Sequence, residues 1–188
     1  ANYLTGIRTG AASAIATKHL SRPDAEVLGI IGTGTQSAYQ LRATLAVREV
    51  KAVHAWDTSP DNMVAFGTTV TELGLAYHAH ENREDVVRSA DILVTVTPST
   101  NALVERAWVR PGTHICAMGA DTRGKQELDV GLMPAAALFV DEVAQSISIG
   151  EFQHAHSQGL IGERDIRGSI GEVITGMCDG RRSSEEIT

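Results

Sequence analysis

Apolar residues along this chain fall into short continuous runs separated by longer stretches in which they recur every three or four positions. Val27–Ile31, Ala52–Trp56, Leu75–His78, Ala90–Thr97, Thr113–Met118 and Ala137–Val140 are such runs, bounded by Pro, Gly, Asp or Ser. Runs of this length with Val and Ile enrichment read as buried strands. Between them, helical spacing appears in Thr9–Leu20 (Ala12, Ile15, Ala16 and Leu20 on one face) and in Gln36–Val47 (Tyr39, Leu41, Leu45, Ala46). Further helices are expected from Ser59-Pro60 to about Leu73, where Pro suits a first-turn position, and over Glu84–Arg88. Strands alternating with helices over short connections predict an α/β fold of the Rossmann type: a doubly wound, mainly parallel sheet of about six strands with helices on both faces. Past Gly150 the pattern weakens into polar, Gly-rich helical pieces expected to pack on the sheet edge.

The connection after the first strand carries the most information. Gly32-Thr33-Gly34-Thr35-Gln36-Ser37 joins a buried strand to a helix. Gly32 permits a tight turn, and Gly34 lets backbone N–H groups approach a pyrophosphate at the positive end of the helix that begins near Thr35. Ser37 stands where the third glycine of the usual fingerprint would be. The second strand ends in Asp57, about twenty residues further on, where a carboxylate accepts hydrogen bonds from adenosine ribose hydroxyls. A carboxylate there, with no Lys or Arg from Trp56 to Asp61, favours NAD over NADP.

Other candidates lie at strand ends. Thr97-Pro98-Ser99 closes the fourth strand, where hydroxyls can meet the nicotinamide ribose or simply end a strand. Gly119-Ala120-Asp121 opens a loop dense in ionisable groups after the fifth strand. In an open α/β sheet that edge lines the ligand crevice, so Asp121 is placed for proton transfer, with Lys125 and Glu127 either orienting it or pairing with each other at the surface. Arg8, read as preceding the first helix, suits a bidentate hold on a carboxylate, or is an ordinary surface arginine. The pairs His78/His80 and His154/His156 would each share a face if on strands, yet neither has a third ligand nearby, and no metal site is assigned.

Composition narrows the partners. The chain has 188 residues, 43% hydrophobic and 21% charged, enough for one well-buried domain, 1–188. Aromatics at 4% leave a core of Ala, Val, Leu and Ile. A net charge of −7 argues against nucleic acid or an anionic membrane as partner. Two scattered cysteines and no membrane-length apolar run point to a cytoplasmic protein without a disulfide framework. The chain opens without Met and closes at Glu185-Glu186-Ile187-Thr188, so it reads as a piece of a longer protein.

In this order the motifs resemble the ornithine cyclodeaminase/mu-crystallin family: Leu4–Ala14, Ser21–Ala25, Gly32–Gln36, Ala90–Ser99, Gly119–Asp121 with Gly124–Leu128, and Gly171-Glu172-Val173 followed by Gly180-Arg181. Thr122-Arg123 departs from the Pro common before Gly124, and Gly10 from the usual Ala. The resemblance implies the NAD(P)-binding domain of a two-domain, homodimeric enzyme whose amino-terminal substrate and dimerisation domain lies outside this sequence. It implies hydride transfer at the α-carbon of a small L-amino acid or cyclic imine, with Arg8 on the substrate carboxylate and Asp121 in acid/base work. Gly34, Thr35 and Gln36 match the phosphate-binding turn and Asp57 the ribose acid, while Gly119 and Thr97-Pro98-Ser99 belong to the nicotinamide side. The alternative within the same resemblance is a non-catalytic, NAD(P)-dependent ligand-binding protein.

Overall fold

The computed structural model describes residues 2–188. Five parallel strands form the central sheet: β1 (Val27–Ile31), β2 (Ala52–Trp56), β3 (Ala76–Ala79), β4 (Ile92–Thr95) and β6 (His114–Ala117), in the order β3-β2-β1-β4-β6. Between β4 and β6 the chain makes β5 (Thr100–Val104), which pairs in parallel with β7 (Gln126–Leu128) as a separate two-stranded sheet. The sheet order reverses direction between β1 and β4, and a crevice opens beyond their carboxyl ends.

Alternation along each strand sends side chains to two cores. Leu28, Ile30, Val53, Ala55, Ile92, Val94 and Cys116 face Leu41, Phe66 and Val70, which belong to α2 (Ser37–Leu45) and α3 (Pro60–Glu72). Ile31 and Leu93 face the other way, against Val86 and Val87 of α4 (Arg83–Ser89) and Leu132, Met133, Leu138 and Ala155. Helices therefore cover both faces, as expected of a doubly wound sheet.

Three expectations need correction. The sixth strand, β8 (Leu138–Val140), is not in the central sheet; it pairs with β9 (Ile166–Ser169). The edge position beside β6 is taken by the end of the chain instead: the Ile115 N–H donates to the Thr188 carbonyl and the Thr188 N–H to the Thr113 carbonyl. The first helix, α1 (Asn2–Leu20), begins at Asn2 rather than Thr9, so Arg8 lies inside it. Gly6 and Gly10 are poor helix formers, yet α1 packs so closely on α2 that a Cβ at Gly6 would lie 2.5 Å from the Tyr39 ring. Tertiary packing outweighs the propensity cost of about 1 kcal/mol per glycine. Finally, His154 and His156 sit on α5 (Gln153–Ser157), a helix, where residues two apart point in different directions.

Candidate active site

The glycine turn forms as expected. Gly32 has φ +97°, a region costly for other residues, and a Cβ there would lie 2.8 Å from both the Thr97 Cγ2 and the Val96 carbonyl. Its N–H donates to the Trp56 carbonyl. Around Gly34 nothing lies within 4 Å of the Cβ position, which leaves open space before α2. Ser37 is fully buried and donates its hydroxyl to the Gly34 carbonyl at 2.7 Å, so a small polar residue does the packing of the third glycine. No side chain caps the amino end of α2; the Ser37 and Tyr39 N–H groups turn back to the Gly34 and Gln36 carbonyls.

Asp57 sits beside the turn. Its Oδ2 accepts from the Thr33 N–H at 2.6 Å and the Thr33 hydroxyl at 3.1 Å, and its Oδ1 from the Ser59 N–H at 2.8 Å. Burial pushes this carboxyl up, but the hydrogen bonds from Ser59, Thr33 and Thr58 prevail and hold it below the usual value. Asp57 thus braces the turn and stays ionised. One residue earlier, the Trp56 ring carries the Arg83 guanidinium at 5.3 Å, a cation that sequence distance concealed.

A cavity of about 510 Å³ lies at the carboxyl ends of β4 and β6. Seven of the residues singled out in the sequence line it: Arg8, Gln36, Thr97, Pro98, Gly119, Asp121 and Lys125. Gly32, Gly34, Thr35, Asp57 and Ser99 do not; the first four surround the turn, and the Ser99 hydroxyl donates to the Asn101 carbonyl. Arg8 is exposed and has no ion-pair partner among the described residues. The Asp121 side chain is 71% exposed and pairs with Lys125 Nζ at 2.6 Å. Lys125 thus pairs with Asp121 and not with Glu127. The Gln36 Oε1 is buried and has no hydrogen-bond partner among the described residues.

Glu127 is neither at the surface nor paired with Lys125. It is fully buried, and its carboxylate accepts from the Thr95 and Thr97 hydroxyls and from the Thr97 and Gly119 N–H groups at 2.6–2.8 Å. The Thr97 hydroxyl is thereby committed as a donor and offers a ligand only its lone pairs. Glu151, also buried, accepts from the Glu127 and Leu128 N–H groups through Oε1 and leaves Oε2 unpartnered. Burial, helped by the charge of Glu127, pushes Glu151 up to about 8, so it is a neutral acid at neutral pH. Gln153 closes the far side of the Asp121 loop, accepting from the Gly124 N–H at 2.7 Å and donating to the Lys125 carbonyl. The sequence placed Glu127 beside Asp121 but not in the core, and gave no sign of Glu151 or Gln153, because acids and amides in a polar stretch carry no sign of burial.

The His54, His78 and His80 rings stack on the edge of the sheet, with His54 Nδ1 2.8 Å from His80 Nε2. Among the described residues no group of three or more His, Cys, Asp or Glu side chains is arranged to hold a metal ion. Cys116 and Cys178 are free thiols, and no described helix is long and apolar enough to cross a membrane.

Comparison with known proteins places this geometry in context. The model of the ornithine cyclodeaminase/mu-crystallin family matches residues 1–188. The chain is 45% identical over 184 residues to an iminosuccinate reductase of Paracoccus denitrificans, covering 98% of the chain and 57% of that protein. It is 43% identical to an alanine dehydrogenase of Archaeoglobus fulgidus, covering all of the chain and 58% of that protein. It superposes on an archaeal alanine dehydrogenase dimer with bound NAD with a TM-score of 0.96 at 44% identity, covering 99% of the chain and 57% of that one. A Thermococcus litoralis Δ1-pyrroline-2-carboxylate reductase in complex with NADH and L-proline gives a TM-score of 0.95 at 33% identity, covering 99% and 58%. The chain therefore spans a little under three-fifths of the length of these relatives.

Proposed function

The chain belongs to the ornithine cyclodeaminase/mu-crystallin family, and on that premise we propose that it is the NAD-binding part of an enzyme that moves hydride to or from the α-carbon of a small L-amino acid or its imine. The observation that carries this reading is the convergence of Arg8, Asp121 and Gly119 on one cavity beside an open glycine turn. Relatives named for alanine, iminosuccinate and pyrroline-2-carboxylate support the substrate class, since each compound has a carboxylate beside a carbon–nitrogen bond. The residues fit the cofactor: Gly34 leaves room for a phosphate beside the positive, side-chain-uncapped start of α2, and ionised Asp57 suits a free ribose 2′-hydroxyl. Bound there, NAD supplies the hydride acceptor. Arg8 holds the substrate carboxylate through its two-pronged guanidinium. Asp121 takes or returns the proton at the substrate nitrogen or attacking water, and Lys125, paired with it at 2.6 Å, aims that carboxylate. Assembly as a homodimer belongs to the same proposal, supported by the dimeric archaeal structure.

The test is NADH formation by the intact protein over ornithine, lysine, proline and alanine, with Asp121→Asn and Arg8→Ala alongside. Asp121→Asn is expected to lower kcat by about 10²–10⁴ with NADH affinity within a few-fold, and Arg8→Ala to raise KM for the amino acid. Tight NADH binding with no turnover on any substrate would replace this reading with that of a ligand-binding protein.

A further inference from the structure

We propose that Glu127 is a positioning residue for this reaction: its buried carboxylate ties the carboxyl ends of β4 and β6 together and, through Gly119, fixes the loop that aims Asp121. The inference rests on the proposed role of Asp121 and adds the device that holds it.

The argument starts where the sheet ends. β4 and β6 pair from Ile92↔His114 to Thr95↔Ala117, and the last ladder bond runs from the Met118 N–H to the Thr95 carbonyl. Beyond it the two chains enter the crevice, where no backbone pairing can hold their spacing. Glu127 takes over at that point. Oε2 receives the Thr95 hydroxyl and the Gly119 N–H, each at 2.8 Å, and so spans the two strands. Oε1 receives the Thr97 N–H at 2.6 Å and its hydroxyl at 2.7 Å.

All four partners donate, which an ionised carboxylate alone satisfies; a glutamine amide would turn its NH₂ toward donors. A fully buried carboxylate with no cation among its hydrogen-bond partners is costly unless so satisfied, and a sheet edge needs no such group for stability. Gly119 makes room for it: a Cβ there would overlap the Thr97 carbonyl and lie 2.5 Å from the Glu127 Cδ.

The clamp is itself anchored. Glu151 holds the Glu127 and Leu128 N–H groups at 2.9 and 2.6 Å. Gln153 holds the Gly124 N–H at 2.7 Å. The loop is thus fixed at Gly119 and at Gly124, and between them Asp121 projects outward with its carboxylate on Lys125. Glu127 does not itself reach the exposed end of Asp121, so it acts through the backbone.

A double-mutant cycle in the intact protein tests this, using wild type, Glu127→Gln, Asp121→Asn and the double variant. Glu127→Gln is expected to lower kcat about 10²-fold while leaving KM for NADH within about threefold. The loss caused by Asp121→Asn is expected to shrink to less than about tenfold in the Glu127→Gln background, because a displaced Asp121 has little left to lose. Thr95→Val removes one donor to the clamp and touches nothing else assigned to the site. It should cost kcat about three- to tenfold with the same reduced response to Asp121→Asn, and it decides the matter if Glu127→Gln does not fold. Losses that multiply independently in both backgrounds would overturn the positioning role. Wild type that binds no NADH, or an Asp121→Asn variant with normal turnover, would instead overturn the proposed function, so the two failures are distinct.

Discussion

Asp57 and Glu151 are carboxyl groups driven in opposite directions by their surroundings. Backbone and hydroxyl donors overcome burial at Asp57, which keeps a negative charge where the proposed adenosine ribose would lie. NADPH is accordingly expected to bind about ten- to hundredfold more weakly than NADH, the worth of 1–3 kcal/mol of like-charge repulsion in a partly wet crevice. Isothermal calorimetry with both nucleotides checks this, and equal affinities would mean that Arg83, stacked on Trp56, offsets the carboxylate. At Glu151 burial wins, and the group titrates near 8 against 4.5 in an unfolded chain. The folded state therefore binds the extra proton, and stability declines as pH rises from about 4.5 through 8, by at most about 1.4 kcal/mol per pH unit. Glu151→Gln keeps the neutral shape, so its urea midpoint is expected to show a smaller decline over that range and to exceed the wild type's above pH 8.

At the scale of elements, the amino edge of the sheet is held by one side chain. The Asp91 carboxylate, 13% exposed, pairs with Arg22 at 2.7 Å and Arg110 at 3.4 Å and accepts from the Glu26 and Val27 N–H groups. It joins the start of β1 to the turn before β4. Removing it leaves two backbone donors and a half-buried guanidinium without their partner. Asp91→Ala is expected to cost about 2–4 kcal/mol. The cap of α3 is a useful contrast: the Ser59 hydroxyl accepts from the Asn62 N–H at 3.3 Å at an exposed helix start, and Ser59→Ala should cost only about 1 kcal/mol. Urea unfolding with unchanged m-values checks both, and comparable losses would mean that Asp91 is no more than a surface group.

Across the whole molecule these titrations combine. His54 is lowered to about 4 by burial and by His78 and His80, and His114 to about 3 by burial and by Arg181 and Arg48. For both, the unfolded chain binds the extra proton below 6.5, so stability falls on acidification through that value. His80 shifts in the same direction and Glu127 in that of Glu151. Below 6.5 the two histidines outweigh the single opposing proton of Glu151; above it Glu151 titrates and stability falls again. Thermal melts over pH 4–9 are expected to peak near pH 6.5. A Tm that climbs steadily to pH 9 would show that Glu151 does not carry its proton.

What the sequence determined by itself is local and strongly patterned. The strand–glycine–helix unit at Val27–Ser37, the acid ending β2 and the alternation that yields a two-faced parallel sheet are all written within spans of a few residues. There, period, turn chemistry and burial agree. The tertiary structure decided the features that depend on distant partners. Gln126–Leu128 is too short to show a period and becomes a strand only because β5 lies beside it. β8 leaves the central sheet because residues 187 and 188 occupy the edge of β6. Arg8 is carried by a helix that two glycines would weaken in isolation, and that forms because Tyr39 fills the space they leave. Glu127 and Glu151 look like surface acids in sequence, since a carboxylate is normally too costly to bury. They lie in the core because hydroxyl and N–H donors from residues up to thirty-two positions away converge on them there, or because burial leaves the proton in place.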